Sequence, residues 1–463
     1  MTTYEDLVRA GEDERNRMDF VLTAIGRHKA STEVMYAADA ELYYRGENPT
    51  ITQYEKIIYD FTGKAHVDMW TANHKIASNF FPFVIDQEVS YLLGNGVRFA
   101  DDGTKEKLGA DFDEAMMDAL EYARIEGKAF CFWNLDHVET FKLTEFVPLY
   151  GEENGALMAG IRFWQLDDQK PLRATLYELD GYTEYIRRRG ENMTVLQEKK
   201  RYVTTYSVSE ADGAIVVDES NYNGFPIVPL YANKQMQSSL VGKRNTIDAL
   251  DLASSNMVNS VDEGNLIYWV LTNAGGMDDL DDAKFIERLK TLHVAHADGD
   301  AGATAEAHTI EAPYVGTQTT IDMLINRLYD DFQAFNSAAV SASNQSATAI
   351  KASYVPLDLK SDKIERQLTR CILGILKLAG IDDRPSYTRN QIINKAEETQ
   401  RVIMQAQYFD DEYIRKSLLT INGDIDQYEE IAKRIAAEGV DKLREAQRQL
   451  EQGGEDDGTD NES

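Results

Sequence analysis

The hydrophobic period of this sequence changes twice, and each change limits what the chain can fold into. FDEAMMDALEYARIEG, residues 112–127, carries apolar residues at helical spacing and ends on Gly127, a helix stop signal. From Lys128 the pattern becomes β-branched and aromatic runs parted by Gly, Asp and Asn: KAFCFWNL, TFKLTEFVPLY, GIRFWQL, RATLYEL, YTEYIRR, RYVTTYSV and FPIVPLY. These runs predict an antiparallel sheet domain over about 128–232. At Ser239, a candidate N-cap, the helical repeat returns with Leu240, Ile247, Leu250, Ser254, Met257 and Val261. A sheet domain set between helical regions is an α+β fold.

The flanking helices are legible in the same way. Residues 12–45 read as helix, with Tyr43 and Tyr44 just before the turn GENPT. HKIASNFFPFVIDQEVSYLL has Asn73 as a candidate cap and Gly94 and Gly96 as stops, and Pro82 either kinks this helix or marks its start. A partner for the helix after Ser239 follows Pro313, with Ile321, Leu324, Ile325, Leu328, Phe332 and Phe335 on one face. Between the two lies an insert reading as strand LIYWVL, loop, short helix AKFIERLK, strand LHVAHA, turn DGDAGA and strand TAEAHTI. Next comes a neutral passage. From Gln333 to Ile350 no side chain is charged, although 27% of the chain is Asp, Glu, Lys or Arg. IERQLTRCILGILKLAG then forms a strongly apolar helix, and charged helices run to Leu450. The acidic tail GGEDDGTDNES is expected to be disordered.

Composition excludes several functions. A net charge of −31 repels phosphate backbones and acidic lipid, so bulk-charge DNA binding is disfavoured. The longest apolar runs, such as CILGILKLAG, fall short of the ~20 residues that span a bilayer, and the charged N-terminus has no signal-peptide character. Cys131 and Cys371 are too few and too far apart for a disulfide framework and read as reduced core residues. None of the pairs Gly63-Lys64, Gly127-Lys128 and Gly242-Lys243 completes a phosphate-binding loop. His293, His296 and His308 are close in sequence, but HVAH spacing on a strand sends two rings to opposite faces. DGDAGATAE lacks the calcium-loop residues at Gly302, Ala303 and Thr309. No catalytic residue, cofactor or metal is expected.

The order of the blocks carries a resemblance. HKIASNFFPFVIDQEVSYLLGNGVRF, FPIVPLYANKQMQSSLVGKRNTIDALDLASSNMVNSVDE and AIKASYVPLDLKSDKIERQ resemble, in order and spacing, segments of the phage portal proteins of long-tailed phages, mostly those of Gram-positive bacteria. The likeness runs from about 40 to 440. It departs from the family at Pro82 and Pro356, which interrupt helices the family often keeps continuous.

The resemblance implies a non-enzymatic ring of about twelve subunits at one capsid vertex, assembled in the host cytoplasm and carried in the virion. Double-stranded DNA would pass through it, and its partners would be the terminase motor, a head-completion adaptor, and the major capsid and scaffolding proteins. The implied division is a wing over 1–236, with the β-rich part at 128–236, and stem helices at 237–264 and 313–337. An α/β clip would span 265–312, a tunnel loop 338–350, a long wing helix 351–389, crown helices 390–450 and a tail 451–463. Val340, Ser341, Ala342, Ser343, Asn344 and Gln345 would face DNA, where neutral side chains touch phosphates without gripping them. Asp278, Asp279, Asp281 and Asp282 would dock terminase and adaptor. The alternatives are a packaging nuclease or ATPase, an assembly scaffold unrelated to DNA, and a plain linker for the neutral passage.

Overall fold

The computed structural model describes residues 2–59, 63–68, 71–101, 103–208, 215–264, 267–272, 304–309, 314–338, 347–390 and 395–437. The chain divides into two compact units, Met1–Asn336 with Tyr354–Asn390, and Ser337–Ser353 with Gln391–Ser463.

Three helices open the first unit: α1 (Tyr4–Ala10), α2 (Glu14–Lys29) and α3 (Thr32–Tyr44). The single helical stretch expected over 12–45 is broken at Ala30–Ser31, where the Ser31 hydroxyl accepts the Val34 N–H and starts a new helix. A short α4 (Pro49–Thr52) leads to an exposed ribbon of β1 (Ile57–Tyr59) and β2 (Ala65–Val67). The next helix, α5 (Phe80–Leu93), begins at Phe80 and not after Asn73. Pro82 therefore marks the start, since in the first turn its missing N–H removes no helical bond. Then come β3 (Val97–Arg98), α6 (Gly103–Lys107) and α7 (Phe112–Glu126). Gly127 ends α7 as expected, at φ 95°, and a Cβ there would lie 2.8 Å from the Met236 carbonyl oxygen.

The β region runs β4 (Lys128–Asn134), β5 (His137–Lys142), β6 (Phe146–Tyr150), β7 (Leu157–Trp164), β8 (Leu172–Glu178), β9 (Gly181–Arg187), β10 (Thr194–Lys200), β11 (Val203–Val208), β12 (Ile215–Ser220) and β13 (Ile227–Tyr231). Every pairing is antiparallel, in three sheets: β13-β4-β5, the meander β6 to β10, and the ribbon β11-β12. The run TFKLTEFVPLY is thus two strands. A 3-10 turn at Leu143–Glu145 parts β5 from β6 and passes the chain from one sheet to the next. Strand β4 is buried on both faces: Ala129, Cys131 and Trp133 enter the main core, while Phe130 and Phe132 join an aromatic cluster with Phe141, Phe146, Tyr177 and Tyr202. On the meander, Leu7, Val21 and Ile25 of α1 and α2 pack against Val147, Leu149, Ile161, Phe163, Leu176 and Tyr185.

The helical repeat returns as α8 (Arg244–Gly264), starting at Arg244 and not at Ser239. The turn before it is held by Ser238, whose hydroxyl accepts the Leu240 N–H at 3.1 Å. Strands β14 (Ile267–Thr272) and β15 (Thr304–Thr309) pair antiparallel, Ile267 opposite Thr309. The runs AKFIERLK, LHVAHA and DGDAGA, with His293 and His296, lie outside the described residues, whereas His308 is on β15. The partner helix is α9 (Tyr314–Phe332), and after it comes α10 (Ala347–Ala379). Pro356 does not interrupt α10. A mid-helix proline costs ~3 kcal/mol, and burial of Tyr354, Leu357, Ile364, Leu368, Cys371, Ile372, Ile375 and Leu376 along this helix offsets it several times over. Cys131 and Cys371 are buried free thiols whose sulfurs meet at 3.6 Å in the main core. The first unit closes with β16 (Ser386–Tyr387), paired to β3.

In the second unit α11 (Lys395–Gln405) and α12 (Asp411–Asn422) precede helical residues 428–437. Asp410 caps α12 by accepting the Tyr413 N–H, and Gly423 stops it at φ 90°. The acidic tail lies outside the described residues.

Candidate functional site at the base of the paired helices

Helices α8 and α9 pack together, and burial falls along both. Near the core, Ile247, Leu250, Leu328 and Phe332 are buried, with Ile321, Leu324 and Ile325 packed against them. Toward the far ends Val261 is 45% exposed and Val315 82%. The expected apolar stripe on α8 is therefore half used: a core anchor at one end, open apolar surface at the other.

Polar side chains fix the anchored end. Asp248 accepts from the Tyr43 and Thr50 hydroxyls, and Arg244 donates to Tyr43 and to Asp39. Asp251, 1% exposed, accepts from the Asn48 amide and from the Ser78 N–H at 2.9 Å. Ser255 accepts the Ile76 N–H and Asn259 the His74 N–H. Residues 74–79 thus lie along α8 with alternate N–H groups taken by its side chains, which is why the helix expected from Asn73 does not form there.

Helix α5 holds the other three corners. Asp86 accepts from the Tyr44 hydroxyl at 2.9 Å. The Gln87 amide donates to the Phe335 carbonyl at 2.9 Å and accepts the Phe335 N–H at 2.8 Å. Glu88, 1% exposed, accepts from Arg124 at 2.7 Å and from Lys360, whose ammonium also donates to the Phe332 carbonyl. Burial alone would lift the Glu88 carboxyl, but the Arg124 and Lys360 charges outweigh it and hold it below the usual range. Burial pushes Lys360 down to about 8, against the pull of Glu88, with Arg124 and Lys243 adding repulsion. One turn past Gln87, Tyr91 stacks on Tyr354, which stacks on Phe335 at 4.0 Å, and the Tyr91 hydroxyl donates to Asp358.

VIDQE and DLK, distant in sequence, therefore meet at Glu88 and Lys360, and IDALD joins the same core through Ile247 and Leu250. Nothing in this arrangement pairs a nucleophile with a base, and among the described residues no three His, Cys, Asp or Glu side chains are grouped to hold a metal ion. It is an anchor for helices. Val340 to Gln345 and Asp278, Asp279, Asp281 and Asp282 lie outside the described residues. Gln87, Glu88 and Lys360 escaped the sequence reading as site residues. A signal existed for Glu88: it falls on the apolar face of α5 with Phe81, Val84, Ile85 and Leu92, where a carboxylate must find a buried partner.

A family model described as phage portal protein, SPP1 Gp6-like, matches residues 27–441. The portal protein of Clostridium phage phiCD119 is 26% identical over 361 residues, spanning 71% of this chain and 77% of that one. The portal protein of Bacillus phage SPP1 is 24% identical over 352 residues, spanning 70% and 66%. Among solved structures, the neck of a native gene transfer agent particle, computed with C12 symmetry, is similar at TM-score 0.39 and 10% identity over 74% of this chain and 90% of that one. An HK97-family phage portal protein from Corynebacterium diphtheriae is similar at TM-score 0.29 and 11% identity over 66% and 89%.

Proposed function

The chain belongs to the phage portal protein family, SPP1 Gp6-like, and from that premise we propose that copies of it form a ring of about twelve subunits at one capsid vertex, with double-stranded DNA passing along the axis. Its role is structural. The observation that carries the reading is the fall in burial along α8 and α9, which leaves Val261 and Val315 exposed on a single chain. Apolar surface of this kind on a rigidly anchored helix pair calls for neighbouring copies.

In this reading α8 and α9 are the stem, the β-rich 128–236 lies in the wing, 265–312 is the clip and 390–450 the crown. The stretch taken as the tunnel loop, 338–350, has its last four residues in the first turn of α10, with Val340 to Gln345 toward the DNA. Asp278, Asp279, Asp281 and Asp282 meet basic surfaces of the terminase motor and the head-completion adaptor, a contact that weakens with salt. Reversing those four charges should impair docking, and unimpaired packaging and adaptor binding would remove that role. Negative-stain microscopy and native mass measurement test the whole reading. A ring with a central hole is expected, and a compact monomer at micromolar concentration would overturn it.

A further inference from the structure

We propose that Gln87 is the positioning residue for the neutral passage, setting where residues 337–353 leave and rejoin the first unit. The inference rests on the channel reading for what that passage does, but its geometry is independent of it.

The exit is specified residue by residue. Helix α9 ends with Gln333 in the left-handed region at φ 52°; the Gln333 N–H bonds the Asp330 carbonyl and the Ala334 N–H the Tyr329 carbonyl, both at 3.0 Å. This is the usual helix stop, but with a side chain where glycine is preferred, at a cost on the order of 1 kcal/mol. Something must hold the chain in that turn. Two residues on, the Gln87 amide takes both backbone groups of Phe335. Only a primary amide offers a donor and an acceptor side by side at this reach, so it serves Phe335 as a neighbouring strand would.

The return is tied to the same helix. Tyr354 lies flat on Phe335, with ring centroids 4.0 Å apart and planes 7° apart, and Tyr91 continues the stack. Tyr91 follows Gln87 by four residues, so both occupy one face of α5. The outgoing and returning ends of the passage are thus fastened to adjacent turns of a single helix. Phe335, Tyr354 and Tyr91 are 5%, 5% and 3% exposed, so this base is part of the core of one chain. The base is preformed before any ring exists. Pull on the passage is borne by α5 instead of unwinding the last turn of α9.

The test uses the full chain with Q87M, which keeps the side-chain length and loses both bonds, and Q87E, which keeps the acceptor for the Phe335 N–H and turns an oxygen on its carbonyl. Hydrogen exchange in peptides spanning 333–338 should speed up about tenfold in Q87M and less in Q87E. Melting temperature should fall by only a few degrees, and ring yield should stay at the parent level. Tyr354→Leu, which keeps burial but removes the ring, should speed the same peptides. In assembled particles Q87M should retain less packaged DNA. Unchanged exchange at 333–338 in Q87M overturns the proposal, as does a rise spread equally over α5, α8 and α9, the mark of general loosening. Local exchange that rises while DNA retention matches the parent supports Gln87 as the positioning residue and removes the passage from the channel, so the two failures are distinguishable.

Discussion

The Ser255 hydroxyl accepts the Ile76 N–H at 2.9 Å, across 179 residues of sequence. It is the middle rung of three, between Asp251 with Ser78 and Asn259 with His74. Alternate residues of an extended chain are ~6.6 Å apart, and four residues of helix advance ~6 Å. A helix carrying acceptors at every fourth position can therefore pair with a neighbouring segment rung by rung. Ser255→Ala should cost about 1 kcal/mol in denaturant titration. Asp251→Ala, which also removes the stronger of the two bonds made by the buried Asn48 amide, should cost more, about 2–3 kcal/mol. Equal losses would show that the Asn48 bond adds nothing to the rung, and a gain in both variants would show that helix propensity outweighs the rungs.

Glu88→Gln should be the most damaging single change in the anchor. It leaves Arg124 and Lys360 buried without their counter-charge, a loss of about 3–5 kcal/mol. Lys360, already pushed down to about 8, then sheds its proton more readily. The deficit should therefore shrink as pH rises toward and past 8. A deficit independent of pH would locate the damage in packing instead.

Glu126 gives a second handle on pH. Burial first, and then the Glu41 charge, push its carboxyl up to about 8, while it accepts from the Thr144 N–H and hydroxyl. Between the ordinary 4.5 and about 8 the folded chain keeps a proton that the unfolded chain has released. Its stabilising contribution is thus complete below 4.5 and is lost as pH rises through 8. Glu126→Gln resembles the protonated form, so the parent's fall in stability across this window should flatten in the variant. Parallel stability-versus-pH curves would refute the assignment.

The neutral passage tests the channel. Ser343→Lys or Asn344→Lys in every subunit would set a ring of positive charge around the DNA, each phosphate contact adding about one unit to the salt slope. These variants should assemble and package slowly or incompletely. The corresponding Asp variants should be milder. If Lys and Asp behave like the parent, or if neither forms rings, these residues do not face DNA and the passage is a linker.

Sequence legibility followed the range of the interactions. Helix α7 and its stop at Gly127 were readable because cap, period and turn are all local. The start of α5 at Phe80 was not, because what straightens residues 74–79 is a row of side chains on α8. The corner at Leu143–Glu145 was missed for a related reason. TFKLTEFVPLY has unbroken strand composition, and only the two sheets it joins reveal the bend. Pro356 was read as an interruption on local grounds and overridden by burial along α10. The motif residues Gln87, Glu88, Asp251 and Lys360 stood in plain view, but their roles depend on partners 28 to 272 positions away.

The Cys131 and Cys371 thiols sit at 0% exposure where β4 meets α10. An alkylating reagent can reach either sulfur only after the sheet and the long helix part company. The labelling rate of these two residues is therefore a clock for opening of the core, readable by mass with no engineered probe. Because the same sulfurs exist in a free subunit and in an assembled one, comparing the two clocks would measure how far assembly slows the breathing of each chain.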